Sequence, residues 1–197
     1  MKPFNEDLSK ILANADTAED RETLEAAIQR LDEILQEGFA PTDTPMLPYA
    51  PALEMTDAFA QSYISDESGG AESGFDGFLG NLAIDAANAL ARAKRRAEYR
   101  LKTLFGFKGI RIVEDGDSWT QYPVFLEDIG DQLQSKADLA LFSVGGAGDL
   151  VSDMATEKEY LSALKRTDAP ALVISGGGND MFAHLADFLV DYSDGAE

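Results

Sequence analysis

Cysteine is absent from this 197-residue chain, histidine and tryptophan occur once each, and Lys plus Arg number 16 against 36 Asp plus Glu. Without cysteine there is no disulfide framework, no thiol nucleophile and no thiolate metal site, so packing alone must hold the fold. One histidine excludes a multi-histidine zinc or iron centre within the chain, and a triad built only from these residues depends on His184. The formal charge of −20 and pI of about 4.2 repel phosphate and offer no counterion release, which speaks against nucleic acid as the main partner. No apolar run approaches the roughly 20 residues of a membrane span, and the opening MKPFNEDLSKILANAD lacks the apolar core of a secretory signal. A cytoplasmic protein without a membrane span is the expectation.

What is present is a 45% apolar composition, enough to bury a core in one or two domains. Residues 17–37 read as an amphipathic helix, capped by Thr17, with Leu24, Ile28, Leu31 and Leu35 at helical spacing and Gly38 at its end. Pro41, Pro45, Pro48 and Pro51 then fall within eleven residues, predicting an extended linker over about 39–52 with no core strand. A Gly/Ser/acidic stretch over about 65–77 predicts a second, flexible linker.

A long helix follows over 76–105, where Leu79, Leu82, Ala86, Leu90, Ala93, Ala97, Leu101 and Leu104 step by three or four. Its alanine-rich middle suits close approach to another helix or a sheet. Arg92, Arg96 and Arg100, with Lys94, Arg95 and Lys102 nearby, form a basic stripe on it. Such a stripe is read as a solvated face, or one paired with acidic neighbours, in preference to a nucleic-acid or lipid surface.

From Gly109 the pattern changes to short β-branched runs, each followed by a glycine-bearing loop: IRIVE then DGDSW, LALFSV then GGAGD, ALVIS then GGGND. Helical stretches near 123–134, 155–166 and 181–191 alternate with them. Continuous apolar strands alternating with helices predict a three-layer α/β fold with a parallel sheet. In such a sheet the ligand site lies beyond the carboxyl ends of the strands, where all three loops fall. They hold the parts of an acyl-transfer site: a hydroxyl nucleophile in Ser118, a bare backbone N–H at Gly148 and an amide donor in Asn179. The two halves share the acidity, with 11 bases and 19 acids in residues 1–108 and 5 and 17 in 109–197.

These blocks resemble the SGNH, or GDSL-type, serine esterases and lipases. Gly116-Asp117-Ser118 matches the family's first block, Ala147-Gly148-Asp149 its second, and Gly177-Gly178-Asn179-Asp180 its third. The order is kept, with 30 residues from Ser118 to Gly148 and 31 from Gly148 to Asn179. The resemblance covers residues 109 to about 192. It implies a flavodoxin-like hydrolase domain acting on a small-molecule ester, with no metal or organic cofactor. Ser118 would be the nucleophile; its N–H, the Gly148 N–H and the Asn179 amide would form the oxyanion hole, with Asp117 and Asp180 supporting.

Three departures accompany the match. Trp119 replaces the leucine of the family name, and with Tyr122 and Pro123 it suggests an aromatic wall beside the nucleophile. Ser143 stands where many members have asparagine. The family's Asp-x-x-His base is not in this sequence, and His184, with Phe182, Leu185 and Phe188 around it, reads as a structural histidine, with Asp180 and Asp187 capping or solvating its helix. The expectation is therefore residues 109–197 as the N-terminal half of such a domain, behind a helical extension over 1–108, needing a missing half or a protein partner to complete the sheet.

Two alternatives stand beside the esterase. A binding remnant or half of a split protein would present ALVIS as an unpaired apolar edge. A Mg²⁺-dependent phosphatase resembling the haloacid dehalogenase superfamily would use Asp115 and Asp117, with Ser143 ending the second strand, but leaves GGGND unexplained.

Overall fold

The computed structural model describes residues 4–42, 52–64 and 75–185. Helix α1 (Glu6–Thr17) is capped by the Asn5 side chain, and α2 (Arg21–Gly38) by Asp20, whose carboxylate accepts from the Thr23 N–H at 2.8 Å. Thr17 therefore closes α1 and does not open the next helix, because Asp20 supplies the stronger cap where the chain turns. Leu24, Leu31, Ile34 and Leu35 bury one face of α2.

The expected linker begins and ends in structure. Strand β1 (Phe39–Pro41) pairs antiparallel with β2 (Leu53–Met55), and Phe39 and Leu53 are buried, so apolar residues flanking the proline run dock its ends onto the core. Residues 43–51 of that stretch, and 65–74 of the second, lie outside the described residues. Between them α3 (Asp57–Tyr63) is capped by Thr56.

Helix α4 (Phe75–Thr103) is the hub. Ala83, Ile84, Ala86, Ala87, Leu90, Ala93 and Ala97 are buried against α1, α2 and β2, while Tyr99 joins the second apolar cluster with Val113, Ala140, Phe142 and Val144. Small side chains let backbones approach closely on more than one side, as the alanine content predicts.

The parallel sheet has β3 (Ile110–Gly116) at its centre, with β4 (Leu139–Ser143) and β5 (Ala171–Ser175) on either side, in the order β4-β3-β5. Between β3 and β4 only α5 (Ile129–Gln134) forms, held by a capping box between Asp128 and Asp131, so the helix expected from 123 starts six residues later. The helix expected over 155–166 is two, α6 (Val151–Glu157) and α7 (Glu159–Thr167), broken at Lys158, which adopts φ 52°. Helix α8 (Gly178–Ala183) begins at the third glycine loop itself; residues 186–197, including Phe188 and Asp187, lie outside the described residues.

Helix α4 runs along the free edge of β4. Lys102 donates to the Leu139 carbonyl at 2.9 Å and Arg96 to the Ser143 carbonyl at 3.0 Å, while Gln134 of α5 accepts from the Leu141 N–H at 3.0 Å. Alternate residues of a strand point their backbone groups outward, and side chains satisfy them here in place of a fourth strand. Much of the basic stripe is thereby not a solvated face. Arg95 is 4% exposed, and its Nη2 donates to both Asp128 carboxylate oxygens at 2.5 and 2.6 Å and to Asp131 at 3.0 Å, which is the pairing with acidic neighbours.

Candidate functional site

All three glycine loops leave the carboxyl end of the sheet. Gly116 lies in register with Ser175, the Asp117 N–H donates to the Ser175 carbonyl at 3.2 Å, and the Gly146 N–H donates to the Gly116 carbonyl at 2.9 Å. These bonds carry the ladder one step past the strands and fix the first and second loops side by side. The third loop then grips the second: Asn179 Nδ2 donates to the Asp149 carbonyl at 2.9 Å, and the Val151 N–H donates to the Asp180 carboxylate at 2.9 Å. Asp180 therefore serves the start of α6 and does not merely solvate its own helix.

Ser118 stands half-buried at the top of a turn built by Asp117. The Asp117 carboxylate accepts from the Trp119 N–H at 3.2 Å and the Ser175 hydroxyl at 3.1 Å, and its carbonyl accepts from the N–H groups of Thr120 and Gln121, each at 3.0 Å. Such an Asx-type turn leaves the serine between two anchored neighbours. Trp119 beside it is 69% exposed, and Tyr122 is half-buried with its N–H on Asp128.

Gly148 has φ 91°, a region that side chains disfavour. Gly145, earlier in that loop, is a close approach: a Cβ there would lie 2.4 Å from both the N and the O of Gly116. Among the described residues neither the Ser118 N–H nor the Gly148 N–H has a hydrogen-bond acceptor, and only one of the two amide hydrogens of Asn179 is taken. Asn179 itself is 6% exposed, so its amide is held in place.

Asn88 of α4, which the sequence did not single out, clamps the second loop. Its Oδ1 accepts from the Ala147 N–H and its Nδ2 donates to the Ala147 carbonyl, both at 2.9 Å. A lone asparagine within an alanine-rich apolar face was the available signal. Arg95 does the same for the segment after Ser118, donating to the Thr120 carbonyl at 2.6 Å and to Gln121 at 3.3 Å. Burial opposes the Arg95 charge, yet Asp128 and Asp131 outweigh it and hold the guanidinium above its ordinary range.

Beneath the loops Glu114 is fully buried, and burial pushes its carboxyl up to about 7. The Ser143 hydroxyl lies 2.6 Å from Glu114 Oε2 and 2.7 Å from Gln121 Oε1. One hydroxyl hydrogen cannot serve both oxygens, but a protonated Glu114 Oε2 donating to Ser143 frees that hydroxyl to donate to Gln121, while the buried Glu114 Oε1 has no partner among the described residues. Asp149, at the second loop, is likewise pushed up to about 6 by burial, against the pull of Arg92.

His184 is exposed at the C-cap of α8, its N–H on the Asp180 carbonyl at 3.0 Å. Of the residues of the phosphatase alternative, Ser143 has its hydroxyl in the buried network, Asp117 accepts from the Trp119 N–H and the Ser175 hydroxyl through Oδ1, and Asp115 is buried in β3. Among the described residues no group of three or more His, Cys, Asp or Glu is placed to hold a metal ion, and no helix is long and apolar enough to cross a membrane. No family model, no curated protein and no solved structure matches this chain.

Proposed function

We propose that this chain carries the nucleophile and oxyanion-binding parts of an SGNH-type serine hydrolase acting on small-molecule esters. The carrying observation is the set of three donors without acceptors, the Ser118 N–H, the Gly148 N–H and the second Asn179 amide hydrogen, on three loops at one end of the sheet. Preorganised donors of this kind act where negative charge develops, and each is typically worth about 3 kcal/mol of barrier. The order β4-β3-β5 supports the reading, since a flavodoxin-like sheet runs 2-1-3 over its first three strands.

In this reading Ser118 Oγ attacks the ester carbonyl, its proton passes to a base, and the carbonyl oxygen becomes the oxyanion of a tetrahedral intermediate; collapse expels the alcohol, which takes the proton from the base, and leaves an acyl-Ser118 that water then hydrolyses. The Asp-x-x-His that supplies the base in the family has no counterpart in these 197 residues. A second reading therefore has its own support: β5 and α8 expose Ile174 (57%), Met181 (53%) and Phe182 (51%), an apolar margin suited to a partner that completes the sheet and the site.

Fluorophosphonate labelling followed by peptide mapping separates the two. A label on Ser118 that is lost in Ser118→Ala supports a self-sufficient hydrolase. A folded chain that stays unlabelled excludes it and leaves the binding or split-protein reading.

A further inference from the structure

Away from Ser118, a cleft of about 440 Å³ opens where α1, α4 and α7 meet the end of β4. Arg92, Arg96 and Arg166 line it, with Asp16, Glu159 and Ser162. Three of the chain's 16 bases thus gather in one place on a molecule of charge −20.

Their positive charge meets carboxylates at a distance and not in contact: Asp85, Asp115 and Asp149 feel Arg92, and Asp16 and Glu159 feel Arg96. Among the described residues no carboxylate oxygen lies within 4.0 Å of Arg92 or Arg166, and Arg96 has only Asp16 Oδ1 at 3.9 Å. That separation is far beyond the 2.7–2.9 Å, roughly, of a charge-assisted bond. Burial, with Arg92 and Arg166 pushing the same way, draws the Arg96 guanidinium below its ordinary range despite Asp16 and Glu159.

The guanidinium groups are nonetheless held. Arg96 spends its Nε–H on the Ser143 carbonyl at 3.0 Å, Arg92 spends one Nη on the Val144 carbonyl at 3.3 Å, and Arg96 and Arg166 lie over the Phe142 ring at 5.2 and 4.7 Å. Both Nη groups of Arg96, and most of the donors of Arg92 and Arg166, are left over. A carboxylate has two oxygens for such forks, whereas a phosphoryl group has three and a second charge. The cleft also has room for more than the phosphoryl group itself.

We propose that the Arg92–Arg96–Arg166 cleft binds a phosphate-bearing small molecule. The site does not depend on the hydrolase reading, since Ser118, Gly148 and Asn179 do not line it.

Isothermal titration of the folded full chain with inorganic phosphate and with glycerol phosphate, at low ionic strength and with acetate as comparison, tests it. Both phosphates should bind, acetate at least about tenfold more weakly. Arg166→Met, an exposed change on α7, should weaken phosphate at least about tenfold, while the neighbouring Lys165→Met should leave it within about twofold. Glu159→Gln, which removes a competing carboxylate, should tighten binding. Absence of phosphate binding, equal loss in Lys165→Met, or acetate binding as well as phosphate overturns the proposal. Inorganic phosphate binding alone, with glycerol phosphate excluded, overturns the small-molecule part of it.

Discussion

Glu114 shows how one residue can be tuned by position alone. It sits in the central strand, one of the few charged side chains with no exposure, and its place between Ser143 and the interior favours the neutral acid. A carboxyl raised from 4.5 to about 7 is bound to its proton more tightly in the folded state than in the unfolded one. The folded state therefore loses stability as pH rises through that window, by up to about 3 kcal/mol once both limits are passed. Glu114→Gln keeps a donor for Ser143 and removes the titration. Chemical denaturation should show the variant close to wild type near pH 5 and more stable than wild type near pH 8. A wild-type advantage at the higher pH would mean that Glu114 is ionised in the fold and stabilised by its surroundings.

At the scale of elements, the two sheet edges are treated differently. The β4 edge is closed by side chains of α4 and α5, and Ala140, Leu141, Phe142 and Ser143 are buried. β5 is half-buried along Ala171–Val173 and exposes Ile174. Edges of that kind recruit further strands unless a charge interrupts them. Ile174→Lys should reduce concentration-dependent self-association in sedimentation, with stability changed by less than about 0.5 kcal/mol, as for most surface substitutions. A wild-type chain that sediments as a monomer at every concentration would remove the edge as an association surface.

The same contrast explains what was legible in the sequence. The three strands, their order along the chain and their loops were readable because β-branched runs followed by glycine are local signals. Helix starts were less so: Thr17 looked like a cap, but Asp20 took that role, and the α6–α7 break at Lys158 rests on a left-handed backbone that no composition rule demands. Site supports such as Asn88 and Arg95 stayed hidden because their partners, Ala147 and Asp128, lie 59 and 33 residues away in the chain. A basic stripe on a helix gives no sign that the edge of a sheet will lie against it.

For the whole molecule, the charge of −20 and the buried carboxyls act in the same direction. Burial raises Glu98, Asp115, Asp149 and Glu114, the last two to about 6 and about 7. Between roughly pH 4 and 7 the folded chain thus holds more protons than the unfolded chain, so stability falls as pH rises through that range. Exposed Asp20 and Glu33 are shifted down, by the Thr23 N–H and by Arg30 respectively, and oppose this, but as surface groups they weigh little. Repulsion among the surplus acids adds to the same slope, because it too grows as carboxyls ionise. Salt separates the contributions: at about 1 M the Debye length is near 3 Å, which suppresses surface repulsion and leaves the cost of burying a charge nearly untouched. The melting temperature should therefore be higher near pH 5 than near pH 8, salt should raise it more at the higher pH, and a residual slope should persist in about 1 M salt. That residual slope should shrink in Glu114→Gln. A slope that disappears entirely in salt would assign the pH dependence to the surface alone and return Glu114 and Asp149 to ordinary carboxylates.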